Sequence, residues 1–244
     1  MPEDKIQKTL LRISDATAKG SASKHQLAQL LGSLRHVGLC CRAARAFVQR
    51  VHGLWLRAPL FGTVKLAEDV LRDLAWIQVV LRNGGANGVP TSIMANSLAP
   101  AIHLFMDASD EGLFVLYPAA NEYIRVQFDD AERQCIANDN VMGDASFNIN
   151  VREALSVVYA SLVWGPRWSH LAKPQHPVHI RCWIDNMSAV AWIRKHHSRN
   201  AFGQELNRVW SCAEMVYGLH ISTAHLEGAT NILADLGSRD GSMD

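Results

Sequence analysis

The chain has 244 residues, 48% of them hydrophobic and 19% charged, which is enough apolar material for one or two buried cores. Mean hydropathy is −0.02, and no stretch reaches the roughly eighteen uninterrupted apolar residues that a membrane span requires, so a membrane partner is not expected. The N-terminus, MPEDKIQKTLLRISDATAKG, lacks the apolar core of a secretory signal, which predicts a cytoplasmic or nuclear protein.

The net charge of +1 conceals an asymmetry. Residues 1–100 hold 13 Lys and Arg against 6 Asp and Glu, whereas residues 101–244 hold 11 against 17. Between Ala16 and Lys65 stand eight basic residues and no acidic one. Such a stretch attracts a polyanion, although a solvated helix face has the same composition. The five cysteines (Cys40, Cys41, Cys135, Cys182 and Cys212) form no CxxC pair and fit buried thiols in a reducing compartment better than a disulfide frame or a zinc site.

Taken in chain order, the first part reads as helical. From His25 to Trp55, apolar residues such as Leu27, Leu30, Leu31, Leu34, Phe47 and Val51 recur at three- and four-residue steps, predicting a helix pair with one buried stripe. Leu66, Val70, Leu74, Ile77 and Leu81 share a face and predict a further helix. NGGANGVPTS is a turn-and-linker cluster. It sets a predicted organisation of a helical segment over 1–85, a linker over 86–101 and a second domain over 102–240.

After the linker the pattern changes. Short β-type runs at Ile102–Asp107, Leu113–Tyr117 and Tyr123–Phe128, separated by turn residues, suggest an antiparallel meander. The polar stretch 129–148 reads as a loop. A helix is expected over Val151–Trp164, a strand over Val178–Ile184, helices over Met187–His196 and Ala201–Tyr217, a strand over Leu219–Ala224 and a last helix from about Thr230 to Gly237. The expected class is α/β.

Four acids fall at telling places. Asp107 ends the first strand of this second part, Asp185 ends the strand VHIRCWI, Glu153 lies in the first turn of an otherwise apolar helix, and Asp235 is inside the last helix. Singly, each has an ordinary explanation: a strand-end Asp forms turns, and an early helical Glu offsets the helix dipole. Jointly they mean more. The ends of adjacent parallel strands converge at one sheet edge, where gathered carboxylates repel unless a hard divalent cation neutralises them. Two such ions about 4 Å apart can activate a water and stabilise the leaving oxygen of a phosphodiester. No nucleophile elbow and no GxxxxGK[ST] loop competes, so metal-assisted phosphodiester hydrolysis is the chemistry expected.

The strings MDAS (106–109), VREALSVVYA (151–160), CWIDNMSAVAWIRK (182–195) and AHLEGATNILADLGSR (224–239) resemble, in order, the motifs of the ribonuclease H domain of LTR and DIRS-type retroelement reverse transcriptases. The resemblance covers about 102–240, and its closing motif is long and specific. It implies an RNase H-like mixed five-stranded sheet flanked by helices, and it makes Asp107, Glu153, Asp185 and Asp235 the ligands of two Mg²⁺ ions, with Mn²⁺ as a substitute. Asp107 and Asp185 would serve the ion nearest the attacking water, with Glu153 near the RNA 2′-hydroxyl. His225 matches a mobile histidine that assists proton transfer or product release. Asn186 matches a contact to the nucleic-acid backbone or minor groove, and it also suits a helix N-cap; Asn231 and Ser238 brace the final helix, and Arg239 could reach a phosphate. The implied substrate is an RNA–DNA hybrid, cut to 3′-hydroxyl and 5′-phosphate ends.

LAQLLGSLRHVGLCCRAARAFVQRVHGLW (27–55) is similar, less closely, to the thumb or connection helices that follow the polymerase palm in such enzymes. Arg35, Arg42, Arg45 and Arg50 would then contact phosphates, and the rest of a reverse transcriptase polyprotein would be a partner. The palm's paired-aspartate strand is missing, so polymerisation is not implied. Two departures stand out: Gly112 is followed by the bulky Leu113-Phe114-Val115, and 129–146 is long and acidic. Alternatives are a catalytically silent nucleic-acid-binding or structural module of the same fold, or another nuclease of the superfold, such as a transposase or junction resolvase.

Overall fold

The structure, a computed structural model, describes residues 1–83, 98–142, 147–173, 176–196, 198 and 200–239. The chain divides into two compact units, residues 1–94 and 95–244. The expected linker lies outside the described residues from 86 to 97.

The first unit is helical. Helix α1 (Glu3–Lys19), which the periodicity of 25–55 and 66–81 does not foreshadow, buries Ile6, Thr9 and Ile13, and ends on Gly20 in the left-handed conformation. The expected helix pair is realised as α2 (Lys24–Cys40), a short α3 (Arg42–Arg45) and α4 (Gln49–Arg57). Helix α2 opens on a capping box, with Ser23 accepting from Gln26 N while the Gln26 side chain accepts from Ser23 N. Its Leu27, Leu30, Leu31, Leu34 and Val37 are buried together with Phe47 and Val51. Helix α5 (Glu68–Asn83) adds Val70, Leu74, Ile77 and Val80 to the buried set. Each such side chain contributes roughly 1.5–3 kcal/mol on burial. Two three-residue strands, β1 (Ser21–Ser23) and β2 (Thr63–Lys65), pair antiparallel and fix the entrances of α2 and α5.

The second unit is α/β. Strands β3 (Ile102–Ala108), β4 (Gly112–Tyr117), β5 (Glu122–Gln127), β6 (Val178–Ile184) and β7 (Leu219–His225) form one mixed sheet in the order β5-β4-β3-β6-β7. β3, β4 and β5 are an antiparallel meander, whereas β3, β6 and β7 run parallel. Leu104, Met106, Ile180, Cys182 and Ile184 alternate into a core shared with Val151, Val157 and Trp164 of helix α7 (Ile149–Trp168). Helices α8 (Met187–Lys195), α9 (Ala201–Tyr217) and α10 (Ile232–Arg239) complete the flanks.

Two expectations are corrected. Residues 130–142 are not loop but helix α6 (Asp130–Met142), while 143–146 lie outside the described residues. The helix opens on a reciprocal pair, Glu132 N donating to Asp129 Oδ1 and Asp129 N to Glu132 Oε2, each at 2.8 Å, and it buries Ile136. Cys41 and Cys182 are buried as expected for packed thiols, but Cys135 and Cys212 are exposed; all five are free. Among the described residues, no helix is long and apolar enough to cross a membrane.

The bulky second strand is accommodated by two glycines. A Cβ on Gly112 would lie 2.3 Å from the Val126 carbonyl oxygen across the β4–β5 pair, and one on Gly237 would lie 2.4 Å from the Phe114 ring. Phe114 therefore packs against α10 only because residue 237 has no side chain.

Candidate metal centre

Register brings the first two acids together. β3 and β6 are parallel with Met106 opposite Ile184, so Asp107 and Asp185 are each one residue further along adjacent strands. They stand at the C-terminal edge of those strands, the usual place for an α/β site. Glu153 reaches the same point from α7. The helix begins at Ile149 behind an Asn148 cap, whose side chain accepts from Val151 N at 3.1 Å. Glu153 is therefore a turn inside the helix rather than in its first turn, and it is only 1% exposed, so it cannot be a solvated dipole-offsetting residue.

Ligand oxygens of Asp107, Glu153 and Asp185 all lie within 4.8 Å of one another. Burial, above all, together with the other two carboxylates, holds the Glu153 carboxyl well above the ordinary range, against the Ala108 backbone N–H, which it accepts. Asp107 is pushed up to about 6, chiefly by burial and further by Asp185 and Asp235, while the Ser238 hydroxyl it accepts and Arg239 pull it down. Burial and Asp235 also raise Asp185, opposed by its own backbone N–H, His225 and Arg239.

The cluster fits a cation. Glu153 Oε2 is buried with no hydrogen-bond partner, an arrangement that is costly unless a charge of opposite sign sits against it. The neighbouring Arg152 does not supply that charge directly: its Nη1 donates to the Ser109 carbonyl at 2.6 Å and to Asp110 Oδ1 at 2.7 Å. Three convergent carboxylates, two of them buried, are a hard-oxygen donor set that can hold a metal ion.

Asp235 is not within that 4.8 Å group. It lies on α10, near enough to raise both Asp107 and Asp185, and its Oδ1 is 2.7 Å from the Arg239 guanidinium. His225 ends β7 with Nε2 at 3.0 Å from the Asp185 carbonyl oxygen; a carbonyl only accepts, so this nitrogen carries the proton. Asn186 is the N-cap of α8, its Oδ1 accepting from Ser188 N at 2.9 Å and Ala189 N at 3.1 Å.

Ser238 and Asn231 act on the site more directly than bracing a helix would require. Ser238 Oγ donates to Asp107 Oδ2 at 2.5 Å, and Asn231 Nδ2 donates to the Met106 carbonyl at 2.9 Å. Ser109 Oγ donates to the Ser238 carbonyl at 2.6 Å. These bonds tie α10 to the end of β3 and fix the orientation of Asp107. Nothing local in the sequence signals a contact between residues 131 positions apart.

The arginines expected to touch phosphate differ from one another. Arg35 and Arg45 are exposed and Arg42 is half-buried. Arg50 is set against Asp73 at 3.0 Å and Asp69 at 3.4 Å, so its charge is already met within the helical unit and it is a poor phosphate contact. Comparison with protein families, with curated proteins and with solved structures finds no match to this chain.

Proposed function

We propose that the chain is an endoribonuclease of the RNase H class, part of a retroelement reverse transcriptase, that cuts the RNA strand of RNA–DNA hybrids. The observation that carries this reading is the meeting of Asp107, Glu153 and Asp185, from three elements far apart in sequence, within 4.8 Å at the end of parallel strands. The mixed sheet, with its antiparallel meander followed by two parallel strands, supports an RNase H-like fold. So does the order in which the four motifs fall on it.

Asp107, Glu153, Asp185 and Asp235 would hold two Mg²⁺ ions. When bound, Mg²⁺ supplies charge that lowers the pKa of a water nucleophile and stabilises the leaving oxygen. The protein's own contribution is orientation. Ser238 holds the Asp107 carboxylate, the Ala108 N–H holds Glu153, and the capped α8 fixes the strand-to-helix turn after Asp185. Glu153 would lie near the 2′-hydroxyl that distinguishes RNA from DNA. His225 would assist proton transfer or product release, and the Asn186 amide and Arg239 would steady the strand being cut.

Incubating the protein with a labelled RNA–DNA hybrid in Mg²⁺, in Mn²⁺ or in EDTA tests the reading. RNA-strand cleavage with either metal and none in EDTA is expected. Metal-independent hybrid binding without cleavage would instead identify a silent module, and preference for DNA duplexes or junctions another nuclease of the same superfold.

A further inference from the structure

We propose that the turn joining α4 to β2 is a docking point for single-stranded nucleic acid, with Phe61 as the platform on which an unpaired base stacks. Helix α4 stops at Ala58, whose carbonyl accepts from Lys24 Nζ at 3.0 Å. The chain then turns through Gly62, which takes the left-handed conformation at φ 91°, into β2. At the tip, Leu60 is 80% and Phe61 90% exposed. The turn's root is tied down while its two large apolar side chains stand in water, which leaves the Phe61 ring open to a partner.

The surroundings identify the partner's charge. Arg57 closes α4 and Lys65 ends β2, and both are exposed. Pairing of β1 with β2 sets Ser21 opposite Lys65 and Ser23 opposite Thr63, which brings Lys24 to the same side of the unit, its Nζ 5.8 Å above the Trp55 ring. No acid occurs from 16 to 65. The first beyond it are Glu68 and Asp69, and Asp69 faces Arg50 at 3.4 Å. Phe61 is thus an exposed aromatic face on a turn flanked in sequence by the exposed cations Arg57 and Lys65, a combination that tracks a phosphate backbone while stacking its bases, and it needs bases that are not already paired. An anionic membrane would be drawn by the same charge, but two side chains bury too little area; interfacial anchoring takes the apolar face of a whole helix.

This inference rests on the reading of the chain as a nucleic-acid enzyme, and its test keeps the two apart by measuring binding rather than cleavage. The full chain is titrated against a fluorescein-labelled oligo-dT of about a dozen nucleotides, within the usual site sizes, and anisotropy is followed across a salt series. Phe61→Ala and Phe61→Leu should each weaken binding by about tenfold, as loss of one stacked base does, while Phe61→Trp keeps or tightens it. Arg57→Gln with Lys65→Gln should flatten the salt dependence by roughly 1.4 in log–log slope, at about 0.7 per lost phosphate contact. Photocrosslinks from a bromouracil oligomer should map to residue 61.

Phe61→Leu binding as well as the parent would overturn base stacking. Equal binding of a blunt duplex would overturn the single-strand assignment, and co-flotation with phosphatidylserine vesicles, lost in Phe61→Ala, would point to a membrane instead. Hybrid cleavage with no effect of residue 61 on binding refutes this inference alone. Residue-61-dependent binding without cleavage refutes the proposed nuclease alone.

Discussion

Asp73 in the helical unit and Glu153 in the sheet unit are both acids shut away from water, 0% and 1% exposed, yet their surroundings are opposite. Asp73 has the Arg50 guanidinium at 3.0 Å, and Arg50 is itself steadied by Asp69. Glu153 instead has two more carboxylates within 4.8 Å, so the charges that face it are of its own sign. One unit completes its buried charge from its own side chains; the other leaves it incomplete. A fold tolerates the second arrangement where the carboxyls hold their protons or a cation from outside neutralises them, whereas the first needs neither. Substitutions in the two places should therefore act with opposite signs.

The largest expected effect is on catalysis. Asp107→Asn removes a ligand without changing its shape, and should lower hybrid cleavage by on the order of 10³-fold or more, the equivalent of several kcal/mol of lost charge stabilisation. Hybrid binding, measured by gel shift, should hold within a few-fold. Cleavage at the parent rate would end the metal-centre reading.

Next comes the direct break of the comparison. Arg50→Met removes the guanidinium 3.0 Å from the buried Asp73 carboxylate and should cost about 3 kcal/mol in urea unfolding. Glu153→Gln, which replaces an equally buried carboxyl by a neutral isostere, should instead stabilise the metal-free protein, the more so as pH rises and the parent carboxyl ionises. If both variants lose stability alike, the two sites are equivalent and Glu153 is structural.

The pH dependence sharpens the contrast. In the folded, metal-free protein Asp107 titrates at about 6 against an ordinary 3.8, because burial and its acidic neighbours disfavour the charged form. The folded state thus holds this proton more tightly than the unfolded state. Stability contributed by Asp107 is greatest below about pH 4, falls as pH rises towards 6, and is lower by up to about 3 kcal/mol above that. Glu153, raised by burial and the same acidic neighbours, adds a decline of the same sign. Thermal unfolding in EDTA should show this slope, and Asp107→Asn should flatten it. Adding Mg²⁺ or Mn²⁺ at a hundred times its Kd should restore about 2.7 kcal/mol to the parent and little to Glu153→Gln.

How much of this was legible in the sequence follows from how far each interaction reaches. The strands of the sheet were readable because alternation is local: Leu104 and Met106, or Ile180, Cys182 and Ile184, announce one buried face. Asp107 and Asp185 stood out because each interrupts such a run. Helix α6 was missed because it buries so little, although Asp129 and Glu132 form the capping pair that marks a helix start. Helix α1 announces itself weakly for a similar reason, its buried residues being only Ile6, Thr9 and Ile13. The pairing of Arg50 with Asp73, 23 residues away, could not be read from a basic stretch that contains no acid of its own. The same holds for Ser238 of α10, whose partner Asp107 is on β3, 131 residues away.

Ser238 also gives the smallest of the expected effects. Its hydroxyl donates to Asp107 Oδ2 and lowers that carboxyl's pKa against the burial that raises it. Ser238→Ala removes the donor and leaves Asp107 easier to protonate and freer to rotate. A hydrogen bond of this kind contributes about 1 kcal/mol net, so the Mg²⁺ concentration giving half-maximal cleavage should rise by about fivefold. The loss should be larger at pH 6 than at pH 8, because at the higher pH Asp107 is ionised with or without its serine. A purely structural role for Ser238 predicts instead a pH-independent fall that follows the unfolding midpoint, and Ser238→Thr, which keeps the hydroxyl, separates the two by restoring the metal dependence.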